Sequence, residues 1–226
     1  MFAVLKKEFK NYFLTPIGYV FIGLFLAVVS IIFYTYTFQQ RYINFEYVLW
    51  DSIIVLTFIT PVLTMRMFAE EKKNGTDILL MTSPRSIVSI VLGKFFAACG
   101  VILITILLFF MYFGILCFFG KPSIIVALVT SLGFLLLAMA YISFGMFASS
   151  LTENQIVASI ITIAFFLIIS FFQSKLGFLS MFSLVSMFQK FPLGIISLKE
   201  VVGYLSFIVL FTLLTIIILQ RRKSVK

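Results

Sequence analysis

The groups able to do chemistry are few. There are eight carboxylates, Glu8, Glu46, Asp51, Glu70, Glu71, Asp77, Glu153 and Glu200, and no histidine in 226 residues. The usual acid–base side chain near neutral pH is therefore missing. Metal sites built on imidazole are excluded with it, and no metal ligands are expected. No G-x-x-x-x-G-K-[ST] run occurs: Gly93-Lys94 is followed by Phe95. The chain has no phosphate cradle of that kind. Cys99 and Cys117, if they share a helix, stand roughly 27 Å apart at about 1.5 Å per residue and cannot pair. Ion-coupled transporters generally bury an ionisable group inside the bilayer, and no carboxylate sits at the centre of an apolar run. Asp51 is the deepest. Beside Trp50 it reads as an interfacial residue, and a ligand to a translocated cation is the sharper alternative. This inventory disfavours a membrane enzyme. It also requires any active transport to draw its energy from a partner.

The elements that must position these groups are apolar. Hydrophobic residues make up 62% of the chain and charged residues 11%, with a mean hydropathy of +1.20. Soluble domains carry about 45–50% apolar and about 25% charged residues. An all-α integral membrane fold follows, a single transmembrane domain over 1–226. Charges punctuate six runs, expected as spans at about 17–38, 47–67, 90–118, 124–148, 155–172 and 200–219. Each is near the 20 residues that cross a core of about 30 Å. The first run is longer than a signal-peptide core and lacks a small-residue cleavage site, so it reads as a span. Twelve of the 17 Lys and Arg residues fall on the side of the termini and five on the other. The positive-inside rule then makes both termini cytoplasmic. The net charge of +9 is thereby accounted for at membrane boundaries, and no nucleic acid partner is expected.

Two further segments are apolar without being long spans. In residues 1–15, Phe2, Leu5, Phe9, Tyr12 and Phe13 recur at helical spacing, with Lys6, Lys7 and Lys10 on another face. This predicts an amphipathic helix in the cytoplasmic interface, anchored by the lysines, and ended at Thr15-Pro16. Residues 173–199 are too apolar for a free loop. They are expected to form re-entrant or interfacial helices between spans five and six.

The most polar stretch is 68–86, FAEEKKNGTDILLMTSPRS. Span two is expected to continue out of the membrane through Glu70, Glu71 and Lys72 as a helical stalk. Asn74-Gly75 ends it with a left-handed residue. Thr76 then caps a new short helix, with Asp77 in its first turn and Leu79 and Leu80 on its surface. Ser83-Pro84 stops it. An apolar helix held below the membrane, or an interfacial turn whose leucines lie in lipid, both fit these residues.

The run Met65 to Ser86, with Leu92-Gly93-Lys94 after it, resembles the signature region of ABC-2 family permeases, the membrane subunits of type-2 ABC exporters. The likeness is nearest to the gliding-motility and nitrous-oxide-reductase-maturation branch. Phe68, Glu71, Gly75, Thr76, Pro84, Leu92, Gly93 and Lys94 fall on the family pattern. So do Pro16-Ile17-Gly18-Tyr19 and the fragment from Ala148 to Gln155. One departure is clear: the family's acid stands two residues after the threonine, where this chain has Ile78, and Asp77 lies one position earlier. That is about 100° around a helix.

The resemblance implies a non-catalytic permease subunit of an ATP-driven exporter in the bacterial cytoplasmic (inner) membrane. The segment 68–86 would then be a coupling helix on its stalk, seated in a cleft of a separate cytoplasmic ABC ATPase. Its contacts would be Glu70, Glu71, Lys72, Gly75, Thr76, Asp77, Leu79, Leu80 and Pro84. The turn Thr152, Glu153, Asn154 and Gln155 would be a second, smaller contact. Two ATPase copies would hold ATP and Mg, with no cofactor in this chain. A second permease copy or a paralogue would complete the pathway, surrounded by membrane lipid. A stand-alone channel or lipid scramblase is the alternative, and it would need no cytoplasmic coupling element.

Overall fold

The computed structural model describes residues 1–41, 44–76, 86–172 and 183–225, with side chains described as far as 222. Within these residues the chain is helical throughout: α1 Phe2–Leu14, α2 Ile17–Tyr34, α3 Phe45–Thr64, α4 Arg66–Lys73, α5 Ile87–Phe119, α6 Ile124–Leu151, α7 Gln155–Phe172, α8 Leu184–Phe188 and α9 Leu198–Val225. A π-helical turn, Thr35–Gln39, continues α2, and a 3-10 turn, Phe191–Leu193, follows α8. Lipid offers the backbone no hydrogen-bond partner, so long apolar runs become helices despite their many β-branched and aromatic residues.

Five helical stretches are long and apolar enough to cross a membrane: Ile17–Gln39, Phe45–Lys73, Ile87–Phe119, Ile124–Leu151 and Leu198–Arg222. The Phe45–Lys73 stretch is α3 and α4 together. Arg66, Glu70, Glu71, Lys72 and Lys73 crowd its end, so only α3 suits hydrocarbon and α4 stands outside it. The side chain of Ser86 accepts from the Ser89 N–H to start α5, and that of Ser123 accepts from the Val126 N–H to start α6. The hydroxyl meets one of the orphan donors at each helix start. Cys99 and Cys117 both lie on α5 and both are free.

The core is built around α6, which packs against α3, α5, α7 and α9. Lipid tails are as apolar as leucine, so helices associate through close fit rather than through burial from water. Accordingly α6 buries small residues, among them Ala127, Gly133, Ala138, Ala140, Ser143, Gly145, Ala148 and Ser149. Large rings fill the remaining space: Phe144 stacks on Phe165 at 3.8 Å between centroids, and Tyr141 on Phe166 at 4.0 Å.

α1 is not simply laid on lipid. A methyl group added at Gly93 would stand 2.8 Å from Val4, and one at Gly100 would stand 2.9 Å from the Phe9 ring. The apolar side of α1 is therefore pressed onto α5, while Lys6, Lys7 and Lys10 stay exposed. α5 has 33 residues, about 50 Å at 1.5 Å per residue. It exceeds the hydrocarbon thickness, and the excess serves as the platform for α1.

At the opposite end of α6, residues 183–198 fold back onto the bundle. Phe188 and Phe191 are fully buried. Phe188 stacks with Trp50 at 5.9 Å, and the Thr130 hydroxyl shares its one proton between the Val126 carbonyl at 2.7 Å and the Phe191 carbonyl at 3.2 Å. Residues 173–182, the first part of the expected re-entrant or interfacial segment, lie outside the described residues. So do Asp77, Ile78, Leu79, Leu80 and Pro84, and with them the expected short helix itself.

Candidate functional site

The stalk differs from the sequence expectation in one respect: it is not a smooth continuation of α3. The helix is interrupted at Met65. In an unbroken helix the Ala69 N–H would donate to the Met65 carbonyl. Instead the Ser149 hydroxyl of α6 is inserted between them. Its Oγ accepts from the N–H groups of Phe68 and Ala69 at 3.1 and 3.0 Å and donates to the Met65 carbonyl at 3.0 Å. A polar group entering the i to i−4 ladder is a recognised cause of a helix break. Here it also supplies, from another helix, the cap that Met65 cannot provide to α4. One turn further, the Lys72 ammonium donates to the Ser150 carbonyl at the end of α6. The exchange is reciprocal: α6 caps the start of the stalk, and the stalk caps the end of α6. Fit enforces the contact, because a methyl group at Gly145 would fall 2.3 Å from the Thr64 hydroxyl oxygen.

The stalk ends as its residues require. Gly75 has φ +68°, the left-handed region that favours glycine. The N–H of Thr76 donates to the Glu71 carbonyl and that of Gly75 to the Lys72 carbonyl, the paired bonds of a Schellman motif. The Thr76 hydroxyl also donates back to the Glu71 carbonyl, at 3.2 Å.

Charges on the stalk are sorted into two clusters. Arg66 and Glu70 form a two-pronged pair one turn apart, at 2.5 and 2.6 Å. The guanidinium holds the Glu70 carboxyl below its usual range. Glu71 faces the other way, toward Lys94 of α5 at 2.7 Å, and Lys94 also lies 3.4 Å from Glu8 of α1. Lys94 is only 4% exposed, and a buried ammonium persists only when paired. Its position over the Phe68 ring, 5.4 Å from the centroid, adds a cation–π contact. Burial pushes the Glu71 carboxyl above its usual range, with Lys94 pulling the other way. The second oxygen of Glu71 is buried without a hydrogen-bond partner.

The other polar turn lies directly after the clasp. The Asn154 N–H donates to the Thr152 hydroxyl, and the Asn154 side chain accepts from the Ile156 N–H to start α7. Glu153 and Asn154 are exposed, while Thr152 and Gln155 are half-buried. Asp51 lies far along the chain from this site. It accepts from the Tyr36 hydroxyl at 2.7 Å, and no cluster of three or more acidic, His or Cys residues suited to a metal occurs among the described residues.

Of the residues singled out from sequence, the structure thus brings Glu70, Glu71, Lys72, Gly75 and Thr76 onto one stalk beside the turn Thr152, Glu153, Asn154 and Gln155. Sequence reasoning gave no role to Glu8 or Arg66, and used Lys94 and Ser149 only as parts of a family pattern. One signal was available: Glu8 is the only acid on a helix that carries Lys6, Lys7 and Lys10. Nothing in the spacing of Ser149 shows that it enters a helix more than 80 residues earlier.

A helical bundle with several membrane-long helices and a charged stalk tied to the core is the framework of a multi-pass membrane transport component. The comparison with protein families is in agreement: the family described as ABC-2 family transporter protein matches residues 6–170, and the chain belongs to that family. It is a membrane permease component of an ABC transporter. The match is to the family and not to a branch within it. No curated protein matches the chain.

Proposed function

We propose that this chain is one permease subunit of an ATP-driven exporter, acting as a pair of permeases with two separate cytoplasmic ATPase subunits that hold ATP and Mg. The observation that carries the reading is the reciprocal clasp of Ser149 and Lys72. It joins the stalk to the end of α6, so that residues 70–76 and the turn at 152–155 project from one place. Two polar elements anchored to each other and to the core helix are suited to receive a push from a soluble partner.

The layout of the chain supports six crossings. α7 begins beside the stalk, after the end of α6, whereas residues 183–193 pack near the start of α6. The chain must travel the length of the bundle between them. α7 has 18 residues, about 27 Å of helix, which nearly matches a core of about 30 Å. With six crossings both termini share the stalk side, where most of the Lys and Arg residues fall. That side is cytoplasmic by the positive-inside rule, in a bacterial inner membrane.

The test uses two stalk variants. Gly75→Pro removes the Gly75 N–H bond and cannot adopt φ +68°, and Glu71→Lys places a second cation against Lys94. Both are expected to insert in the membrane while ATP hydrolysis by the co-purified ATPase is uncoupled from transport. Normal coupling in both variants overturns the reading, as does a functional chain that purifies with no ATPase.

A further inference from the structure

We propose that an apolar groove between α1, α5 and α6 holds an acyl chain of one anionic phospholipid, whose phosphate is met by Lys6 and Lys10. The groove has a volume of about 430 Å³ and is lined by Met1 and Leu5 of α1, Phe96 and Leu103 of α5, and Leu135 and Met139 of α6, with no charged residue in the lining. It opens on the outside of the bundle, where Phe96 and Leu103 are 40% and 47% exposed. Along α5 it begins just past Lys94 and runs from Phe96 to Leu103, about 10 Å at 1.5 Å per residue. That direction leads from the charged stalk end into the membrane, to the depth of acyl chains.

Water has no polar partner in such a groove, and an empty groove forfeits the dispersion contacts of its walls. A hydrocarbon chain restores them, and Met1 and Met139 are unbranched walls that adapt to it. The headgroup is selected by how the lysines divide around α1. At about 100° per residue, Lys6 falls on the flank of α1 beyond Leu5, the groove side, and Lys10 follows one turn on. Lys7 falls on the opposite flank, where it lines a polar crevice toward the stalk that neither Lys6 nor Lys10 lines. Lys6 and Lys10 are exposed, and among the described residues neither forms an ion pair. Glu8, the acid of α1, is already turned to Lys94. Two uncommitted ammonium groups on long stems therefore stand beside an open apolar groove, matched in charge to an anionic headgroup.

Other occupants fit less well. A choline headgroup brings its own cation to the two lysines. A second copy docked symmetrically by this face would set Lys6 and Lys10 of both copies against one another. The bound lipid has a structural consequence. It holds α1 against α5, and Glu8 of α1 lies 3.4 Å from Lys94, which in turn pairs with Glu71 of the stalk. The lipid thus steadies a helix that braces the stalk.

The test is the thermal unfolding midpoint of the full chain in detergent, titrated with phosphatidylglycerol, with phosphatidylcholine of the same chains, or with soluble glycerol 3-phosphate. A ligand that binds only the folded state raises the midpoint with concentration. Phosphatidylglycerol is expected to raise it by a few degrees, and the other two to do so only at far higher concentration. The double variant Lys6→Gln, Lys10→Gln should weaken the apparent affinity for phosphatidylglycerol about tenfold or more, as two charge-assisted contacts are lost. The same charge change at the exposed Lys121 and Lys199 should leave it within about twofold. Leu103→Trp, which fills the groove from its open side, should weaken it with all lysines in place. Equal effects of the two lipids, or an undiminished effect in the Lys6, Lys10 variant, overturn the proposal. So does an equal loss in the Lys121, Lys199 variant, which marks a general charge effect. Glycerol 3-phosphate acting at the lipid's concentration, or an undiminished effect in Leu103→Trp, removes the acyl chain from the groove. A dimer in detergent that Leu103→Trp dissociates without changing the lipid effect makes the groove a contact between copies and overturns the proposal. No ATPase is present in this assay, so its failure leaves the coupling reading untouched.

Discussion

The two ends of α6 are held by different kinds of force. At the stalk end the contacts are polar and directional: a serine hydroxyl inside a helix ladder, a lysine on a terminal carbonyl, and a lysine shared between two carboxylates. At the far end they are mostly rings. Phe188 stands between Trp50, Phe134 and Phe191, and Phe191 packs toward Tyr204. Hydrogen bonds weaken steeply when bent, so they fix an angle. Ring contacts are broad and survive small shifts. The stalk end is therefore held in a fixed orientation, and the far end tolerates small shifts.

The strongest way to break this contrast is to overpack each end by one methyl group. Gly145→Ala would meet Thr64 at 2.3 Å, and Gly133→Ala would meet the Phe191 ring at 2.4 Å. Each should destabilise the protein by about 1–3 kcal/mol, read as a lower thermal midpoint in detergent. Only Gly145→Ala should also weaken retention of the ATPase, because only it displaces the stalk. Equal loss of the ATPase in both variants would erase the distinction between the ends.

A smaller effect is expected from Ser149→Ala, which leaves two stalk N–H groups and the Met65 carbonyl without their partner. The helix can close the gap by restoring the Ala69 to Met65 bond. The cost should then be about 2 kcal/mol or less, in the range of a lost cap. Faster exchange of the Phe68 and Ala69 amides is the sharper readout, and unchanged exchange would remove the clasp from the account. The smallest effect belongs to Thr130→Val at the far end. It loses the proton that the hydroxyl shares between the Val126 and Phe191 carbonyls and keeps the shape, at about 1 kcal/mol, with ATPase retention unchanged.

Much of this was legible in the residues. Run length between charges marked the helices, because unpaired backbone is not tolerated in lipid. Gly75 after Asn74 marked the end of the stalk, because few other residues adopt a left-handed turn without strain. The apolar spacing of residues 2–13 announced a helix with a sticky side. What that side touches was not legible: lipid and a glycine-lined groove on α5 accept the same pattern. Lys94 could be seen only as a charge near the start of a span. Its burial between Glu8 and Glu71 joins three helices that local pattern does not connect.

The sequence by itself determined that the chain is a bundle of apolar helices and that its polar work is concentrated just past span two. Those are consequences of solvent and of local backbone preference, which act residue by residue. The tertiary structure alone decided the break at Met65, the pairing of Lys94 with two carboxylates, and the clasp between Ser149, Lys72 and the end of α6. Each depends on bringing together groups from distant helices. A hydroxyl or an ammonium has no preferred partner until packing has excluded all but one or two.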